Sequence, residues 1–249
     1  MCTLTIVPTE NGYLAAMNRD ELRARPLALP DLFIGNESVR FVSPREASGG
    51  TWIGSNERGD LLALLNWNLV SRQPNSEAMV SRGTVIPSLI ATANAPSLGR
   101  DLQQLPLESL APFRLVGVSW EERTILEGRW DGRKIEVLTF PWARGHWFSS
   151  SLSDERAARE RGATSELAAM QWPVGTSWLR RLHRSHAPGA GAFSICVHRP
   201  DAGTVSYTEV HMDANRVTMS YLTGNPCQKE EFDSQASITV RPRSFALAS

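Results

Sequence analysis

The chain has 249 residues, and its 26 Lys plus Arg are balanced by 26 Asp plus Glu, so the formal net charge is zero. That balance gives no electrostatic ground for nucleic acid or an anionic membrane as the main partner. With 41% hydrophobic and 21% charged residues, composition is that of an ordinary globular chain, and residues 1–249 read as a single domain with one core and no repeats.

The opening Cys2-Thr3-Leu4-Thr5-Ile6-Val7 alternates as a strand does and is stopped by Pro8. Asn11-Gly12 is a hairpin signal, and Tyr13 to Met17 reads as the returning strand. Asp20 to Pro30 looks like a loop. Gly49-Gly50-Thr51-Trp52-Ile53-Gly54 leads to a turn at Glu57-Arg58-Gly59-Asp60, and Leu61 to Leu65 suits a strand buried on both faces. Residues 81–105 hold two helical pieces broken around Ala95-Pro96. A meander follows over 113–120, 123–130 and 134–140. Ser153 to Met170 is the strongest helix, with Ser153 or Asp154 as its cap. After a Pro/Gly-containing connection over His183–Gly191 come strands near 193–198, 203–210 and 216–222. Strands and helices in this order give an α+β class.

Residues 1–30 carry Asn18, Arg19, Asp20, Glu21, Arg23 and Arg25 where a secretory segment needs an apolar stretch. No uncharged apolar run approaches the roughly 18–20 residues that span a bilayer. The cysteines Cys2, Cys196 and Cys227 are few and widely spaced, which suits a reducing compartment. The expectation is a cytoplasmic protein without a membrane span; oligomeric state is left open.

Cys2 is the residue with the most chemistry. A penultimate Cys is small enough for Met1 to be removed, and Cys2 would then supply both a thiol and an α-amine. Their ordinary pKa values, about 8.5 and about 7.7–8.0, lie near working pH, so the amine can act as base for its own nucleophile. The alternative is a small apolar residue packed in an edge strand. The hairpin returns Met17-Asn18-Arg19-Asp20-Glu21 beside the N-terminus. Asp20 is placed to orient the amine, and Arg19 to stabilise a thiolate or bind an anionic group. A self-satisfied surface ion-pair cluster is the other reading of Arg19 to Glu21.

Met1-Cys2-Thr3, Asn18-Arg19-Asp20-Glu21 with Arg25-Pro26, and Gly49-Gly50-Thr51-Trp52-Ile53-Gly54 together resemble the NRDE family. Its animal members are the transport-and-Golgi-organisation protein 2 homologues. Ser81-Arg82-Gly83 and Gly203 to Thr208 also look like family segments. The family in turn resembles N-terminal-nucleophile hydrolases of the choloylglycine type, the bile-salt hydrolases and penicillin V acylases. The resemblance implies a four-layer αββα sandwich of two antiparallel sheets. It also implies cleavage of an amide or related acyl bond of a small molecule. The implied catalytic residues are Cys2, Arg19, Asp20 and Asn66, the last as oxyanion donor from Leu65-Asn66. Asn18, Glu21, Thr51, Trp52 and Ser150 are implied as supporting or substrate-binding residues. The chain departs from the choloylglycine pattern in three places. Met17 and Val205 stand where arginines are found, and Phe148-Ser149-Ser150-Ser151 stands where an asparagine is found.

Cys196 and His198 are two apart, with His183 and His186 near in sequence, but their spacing matches no strong metal motif. A core Cys beside a surface-reaching His is the simpler reading, so neither metal nor cofactor is assigned. Binding of haem or an acyl lipid, suggested by animal relatives, is the alternative to hydrolysis. Trp52, Trp67, Trp120, Trp130 and Trp142 either line an apolar pocket or pack ordinarily.

Overall fold

A computed structural model describes residues 2–24, 28–68, 80–91 and 95–241. The chain opens with β1 (Cys2–Thr9) and β2 (Gly12–Leu22), followed by β3 (Pro30–Ile34), β4 (Arg40–Pro44), β5 (Ile53–Asn56) and β6 (Leu61–Asn66). Helices α1 (Val85–Leu89) and α2 (Ala95–Gln103) precede the meander β7 (Phe113–Ser119), β8 (Thr124–Trp130) and β9 (Ile135–Phe140). Then come β10 (Gly145–Ser149), α3 (Asp154–Gln171), α4 (Thr176–His183), β11 (Ala202–Asp213), β12 (Arg216–Thr223) and β13 (Ser234–Thr239).

The strands form two antiparallel sheets, one in the order β10-β1-β2-β11-β12-β13 and the other running β3 to β9 in sequence. Strand alternation explains how they stack. Leu4, Ile6, Tyr13, Ala15 and Met17 face Ile53, Leu61, Ala63, Leu65, Val116 and Val118 to make the inter-sheet core. The opposite residues of β1 and β2, including Val7, Leu14 and Ala16, pack with Ala168 of α3 and with Trp178, Leu179 and Leu182 of α4. On the far side Leu62, Phe113, Leu115 and Leu126 are covered by Ile86 and Leu89 of α1 and Leu98 and Leu102 of α2. The result is the expected αββα sandwich. Each large apolar side chain buried in it contributes about 1.5–3 kcal/mol.

The elements differ from the sequence reading in instructive places. The hairpin turns at Glu10-Asn11 rather than at Asn11-Gly12, because Thr9 pairs with Gly12. Gly12 answers a packing need: a Cβ there would lie 1.9 Å from Met212 O on β11. β2 runs on to Leu22, through residues assigned to a loop, because β11 pairs with it along that whole length. Short β3, β4, β10 and β13 and helix α4 carried too little periodicity to be read. The expected strand near 193–198 is irregular chain whose ladder pairing with β11 is an isolated His198–Gly203 bridge, beside hydrogen bonds between Val197 and Thr204. The motif residues Arg25 and Pro26 lie outside the described residues.

Candidate active site around Cys2

β1 lies between β10 and β2, so Cys2 is flanked by Ser149 on one side and Arg19 on the other. Directly opposed residues share a sheet face, which puts Cys2 and Arg19 together on the inter-sheet side. There they line a cavity of about 320 Å³ with Asp20, Glu21, Glu46, Thr51, Trp52, Leu64, Asn66, Ser81, Arg82 and Gly83. Seven of the nine sequence-named site residues therefore converge. Asn18 and Ser150 do not line this cavity.

Cys2 is almost fully buried, and its backbone N–H donates to Ser149 Oγ at 2.9 Å. The Asp20 backbone N–H donates to the Cys2 sulfur. Burial pushes the thiol above its ordinary pKa, against the pull of the chain's N-terminal charge, Arg19 and that N–H, so the resting sulfur is protonated at neutral pH. Arg19 is held on three sides. Its Nη2 contacts Glu46 Oε1 at 2.6 Å and Glu21 Oε2 at 3.8 Å, and its guanidinium stacks 4.2 Å from the Trp52 ring centre.

The Asp20 side chain points the other way, toward the helical layer. Its Oδ1 accepts from Thr204 Oγ1 at 2.7 Å and its Oδ2 lies 3.5 Å from Arg161 Nη2. Arg161 comes from α3 and is fully buried. It also donates to Thr3 Oγ1 at 2.8 Å, Cys2 O at 3.3 Å, Ser149 O at 3.4 Å and Ala192 O at 3.3 Å. One guanidinium thus ties β1, β2, β10 and the 192 segment behind the nucleophile. Burial pushes the Asp20 carboxyl up and Arg161 down, each opposing the other's shift. A second arginine, Arg82, lines the cavity and donates to Pro112 O at 2.9 Å; burial pulls its pKa down, opposed by a thiolate on Cys2 when one forms and by Glu21. Neither Met17, buried in the core, nor Val205, at a β11 bulge, supplies a cation. Arg161 and Arg82 bring positive charge to the place by other routes. Arg82 stood within a noted motif; Arg161 had no local signal, since one Arg in a charged helix looks solvated.

Asn18 works behind the sheet. Its Nδ2 donates to His183 O and Ile195 O, both at 2.9 Å, and its Oδ1 lies 3.0 Å from His183 Nδ1. The amide oxygen can only accept, so Nδ1 carries the proton and Nε2 accepts from Thr5 Oγ1 at 3.0 Å. Thr5 then accepts from His146 Nδ1, also at 3.0 Å. Burial and neighbouring positive charge hold His183 neutral, with its pKa pushed down to about 3. Ser150 serves the start of α3: its N–H donates to Asp154 Oδ1 at 2.5 Å and its Oγ accepts from Leu152 N at 3.3 Å. The serine that touches Cys2 is its neighbour Ser149.

The two glycine-bearing motifs form one crossing. Thr51 N–H donates to Gly83 O at 3.0 Å, and a Cβ on Gly83 would sit 3.1 Å from Gly50 Cα. Only glycines let these backbones meet that closely. The crossing sets Trp52 and Arg82 on the cavity wall. Thr51 Oγ1 donates to Ile53 O at 3.0 Å, and Asn66 ends β6 at the cavity edge.

The fold is similar to that of penicillin V acylase from Agrobacterium tumefaciens, with a TM-score of 0.53, 14% identity and coverage of 90% of this chain and 83% of that one. It is likewise similar to the C2A mutant of conjugated bile acid hydrolase from Clostridium perfringens, with a TM-score of 0.52, 10% identity and coverage of 98% and 97%. No functionally curated protein matches the sequence. No helix among the described residues is long and apolar enough to cross a membrane. The sequence profile of the Transport and Golgi organisation 2 family matches residues 1–170. That match covers more than half of the chain, which therefore belongs to the Transport and Golgi organisation 2 family, built on the sandwich of the N-terminal-nucleophile hydrolases.

Proposed function

We propose that this chain is an N-terminal-cysteine hydrolase of small amides, working after removal of Met1. The observation that carries the reading is the seat of Cys2, at the start of β1, facing a polar cavity with its backbone nitrogen held by Ser149. In the processed protein that nitrogen is the α-amine. It takes the thiol proton as Sγ attacks the substrate carbonyl, and Asn66 with a backbone N–H stabilises the tetrahedral oxyanion. The amine leaving group departs with the proton returned from the α-ammonium, leaving a thioester on Cys2. Water, deprotonated by the same amine, then releases the acid and regenerates the thiol.

The raised thiol pKa fits this sequence, because a resting thiol needs a base at the moment of attack. Asp20 is a positioning residue: its N–H fixes the sulfur and its carboxylate anchors Arg161. Arg19 is neutralised by Glu46, which leaves Arg82 as the cation for a carboxylate on the substrate. A cavity near the lower end of the 300–1,000 Å³ range for ligand sites favours a small, polar N-acyl compound.

The test has two stages. Intact mass of untagged protein reports whether Met1 is removed; uniform retention leaves the amine blocked and sinks the proposal. N-acyl amino acids are then screened with wild type, Cys2→Ala and Asn66→Ala. Turnover is expected to vanish in the first variant and to fall about 10²–10³-fold in kcat in the second. A thioester adduct on Cys2 is expected by mass spectrometry. Equal turnover by wild type and Cys2→Ala would show that the chemistry lies elsewhere.

A further inference from the structure

A second group of reactive side chains lies outside the cavity, where three irregular segments meet. His186 comes from the turn after α4, Cys196 and His198 from the 194–198 segment, and Cys227 from the 3₁₀ turn Pro226–Gln228 that follows β12. Their ligand atoms all lie within 4.8 Å of one another. His198 Nε2 is 3.0 Å from His186 Nε2, 3.6 Å from Cys196 Sγ and 3.5 Å from Cys227 Sγ. We propose that His186, Cys196, His198 and Cys227 form a four-ligand site for a divalent transition metal, zinc above all.

Geometry supports the assignment. With Zn–N near 2.0–2.1 Å and Zn–S near 2.3 Å, a tetrahedron has edges of roughly 3.3 Å between nitrogens and about 3.6 Å between nitrogen and sulfur. The observed 3.0, 3.5 and 3.6 Å need only small side-chain adjustments. Two thiols with two imidazoles form a donor set suited to zinc, whereas calcium and magnesium prefer oxygen. A single imidazole nitrogen facing another imidazole and two sulfurs cannot satisfy all three by hydrogen bonding, but each can share one cation.

The backbone around the group is already braced. Cys196 N–H donates to Ser185 O and His198 N–H to Gly191 O, both at 3.0 Å, while Ser194 Oγ donates to Cys196 O at 2.6 Å. Val197 N–H donates to Thr204 Oγ1 at 2.9 Å, and Thr204 in turn donates to Asp20. A metal here would staple three chain segments with little regular structure of their own and steady the segment that supports Asp20. Cys196 is buried and the other three ligands are half-buried, which keeps an entry route for the ion. On binding, zinc displaces the protons of the thiols, which leave to solvent, and no redox change occurs.

The experiment uses the full chain, reduced with a phosphine, stripped with a chelator, loaded with zinc or cobalt(II) and desalted. One zinc per chain is expected to remain, and cobalt is expected to give thiolate-to-metal charge-transfer and tetrahedral ligand-field bands. Zinc should shield Cys196 and Cys227, but not Cys2, from alkylation. His186→Ala and Cys227→Ser should each weaken retention by at least about tenfold, since even outer-shell changes at zinc sites cost that much. Cys2→Ala should retain full zinc. His186 is half-buried, so its variant is expected to keep a native circular dichroism spectrum. No zinc on the reduced wild type would overturn the proposal, as would undiminished zinc on Cys227→Ser. A Cys196–Cys227 disulfide in a chain that takes no cobalt after reduction would assign the pair to redox chemistry instead.

Discussion

Replacing Arg161 by Leu removes a guanidinium that contacts five oxygens behind the nucleophile, one of them on the buried Asp20. Both side chains of the Arg161–Asp20 pair are 0% exposed, so the carboxylate left behind has no route to water. Removing one partner of a buried ion pair costs about 3–5 kcal/mol, because the survivor keeps its desolvation penalty. Unfolding entropy near 2.1 cal/mol/K per residue, over 249 residues, is about 0.5 kcal/mol/K, so Tm should fall by about 6–10 °C. Asp20→Asn leaves Arg161 its four uncharged acceptors and should cost about 1–3 kcal/mol. The double variant Asp20→Asn/Arg161→Leu removes both charges and should be at least 1 kcal/mol more stable than the sum of the single losses implies. Thermal and guanidinium unfolding of the four proteins measures the cycle. A loss under about 1 kcal/mol for Arg161→Leu, or strict additivity, would refute the reasoning that this pair holds the floor of the site.

Acid should destabilise the fold through His183. A folded pKa of about 3, set by burial, lies below the ordinary 6.5, so between these values the unfolded chain binds more protons and stability falls as pH falls. By pH 5 the loss from His183 is about 2 kcal/mol; His146, at about 4, acts in the same direction. Tm measured from pH 7.5 to 5 checks this, and a His183→Gln variant with an equally steep profile would refute it. Alkylation of Cys2, followed by peptide mass mapping, should keep accelerating through pH 9, because burial raises its pKa, and should slow in Arg82→Met; a plateau below pH 8.5 would contradict the protonated resting thiol. Gly83→Ala forces a Cβ against Gly50 Cα and should cost about 1–3 kcal/mol; unchanged Tm would mean that the crossing is looser than described.

The motifs, each short and close in sequence, name residues that the fold brings to one cavity. Cys2, Arg19, Asp20, Glu21, Thr51, Trp52 and Asn66 could be named because they sit at or close to strand ends on short, patterned segments, and the cavity gathers all of them. Asn18 belonged to the same motif, yet alternation alone sends it to the opposite face, where it braces α4. The expected turn at Asn11-Gly12 would have paired Cys2 with Glu21. Contact between Gly12 and β11 moves the turn by one residue and brings Arg19 opposite Cys2. Ser149 was missed in favour of Ser150 because only the β1–β10 register distinguishes two adjacent serines.

The family, then, was legible in local motifs, the Cys2 start and the glycine-bearing loops, and the sandwich was implied by that resemblance; strand alternation and element order alone gave no more than an α+β class. What only the tertiary structure decided are long-range meetings of side chains. Arg161 reaches Asp20 across 141 residues, Gly50 meets Gly83, and Cys227 joins Cys196 and the two histidines. The physical reason is that such contacts are set by sheet order and helix docking, which sum many small burial terms over the whole chain and leave no periodic trace at the residues themselves.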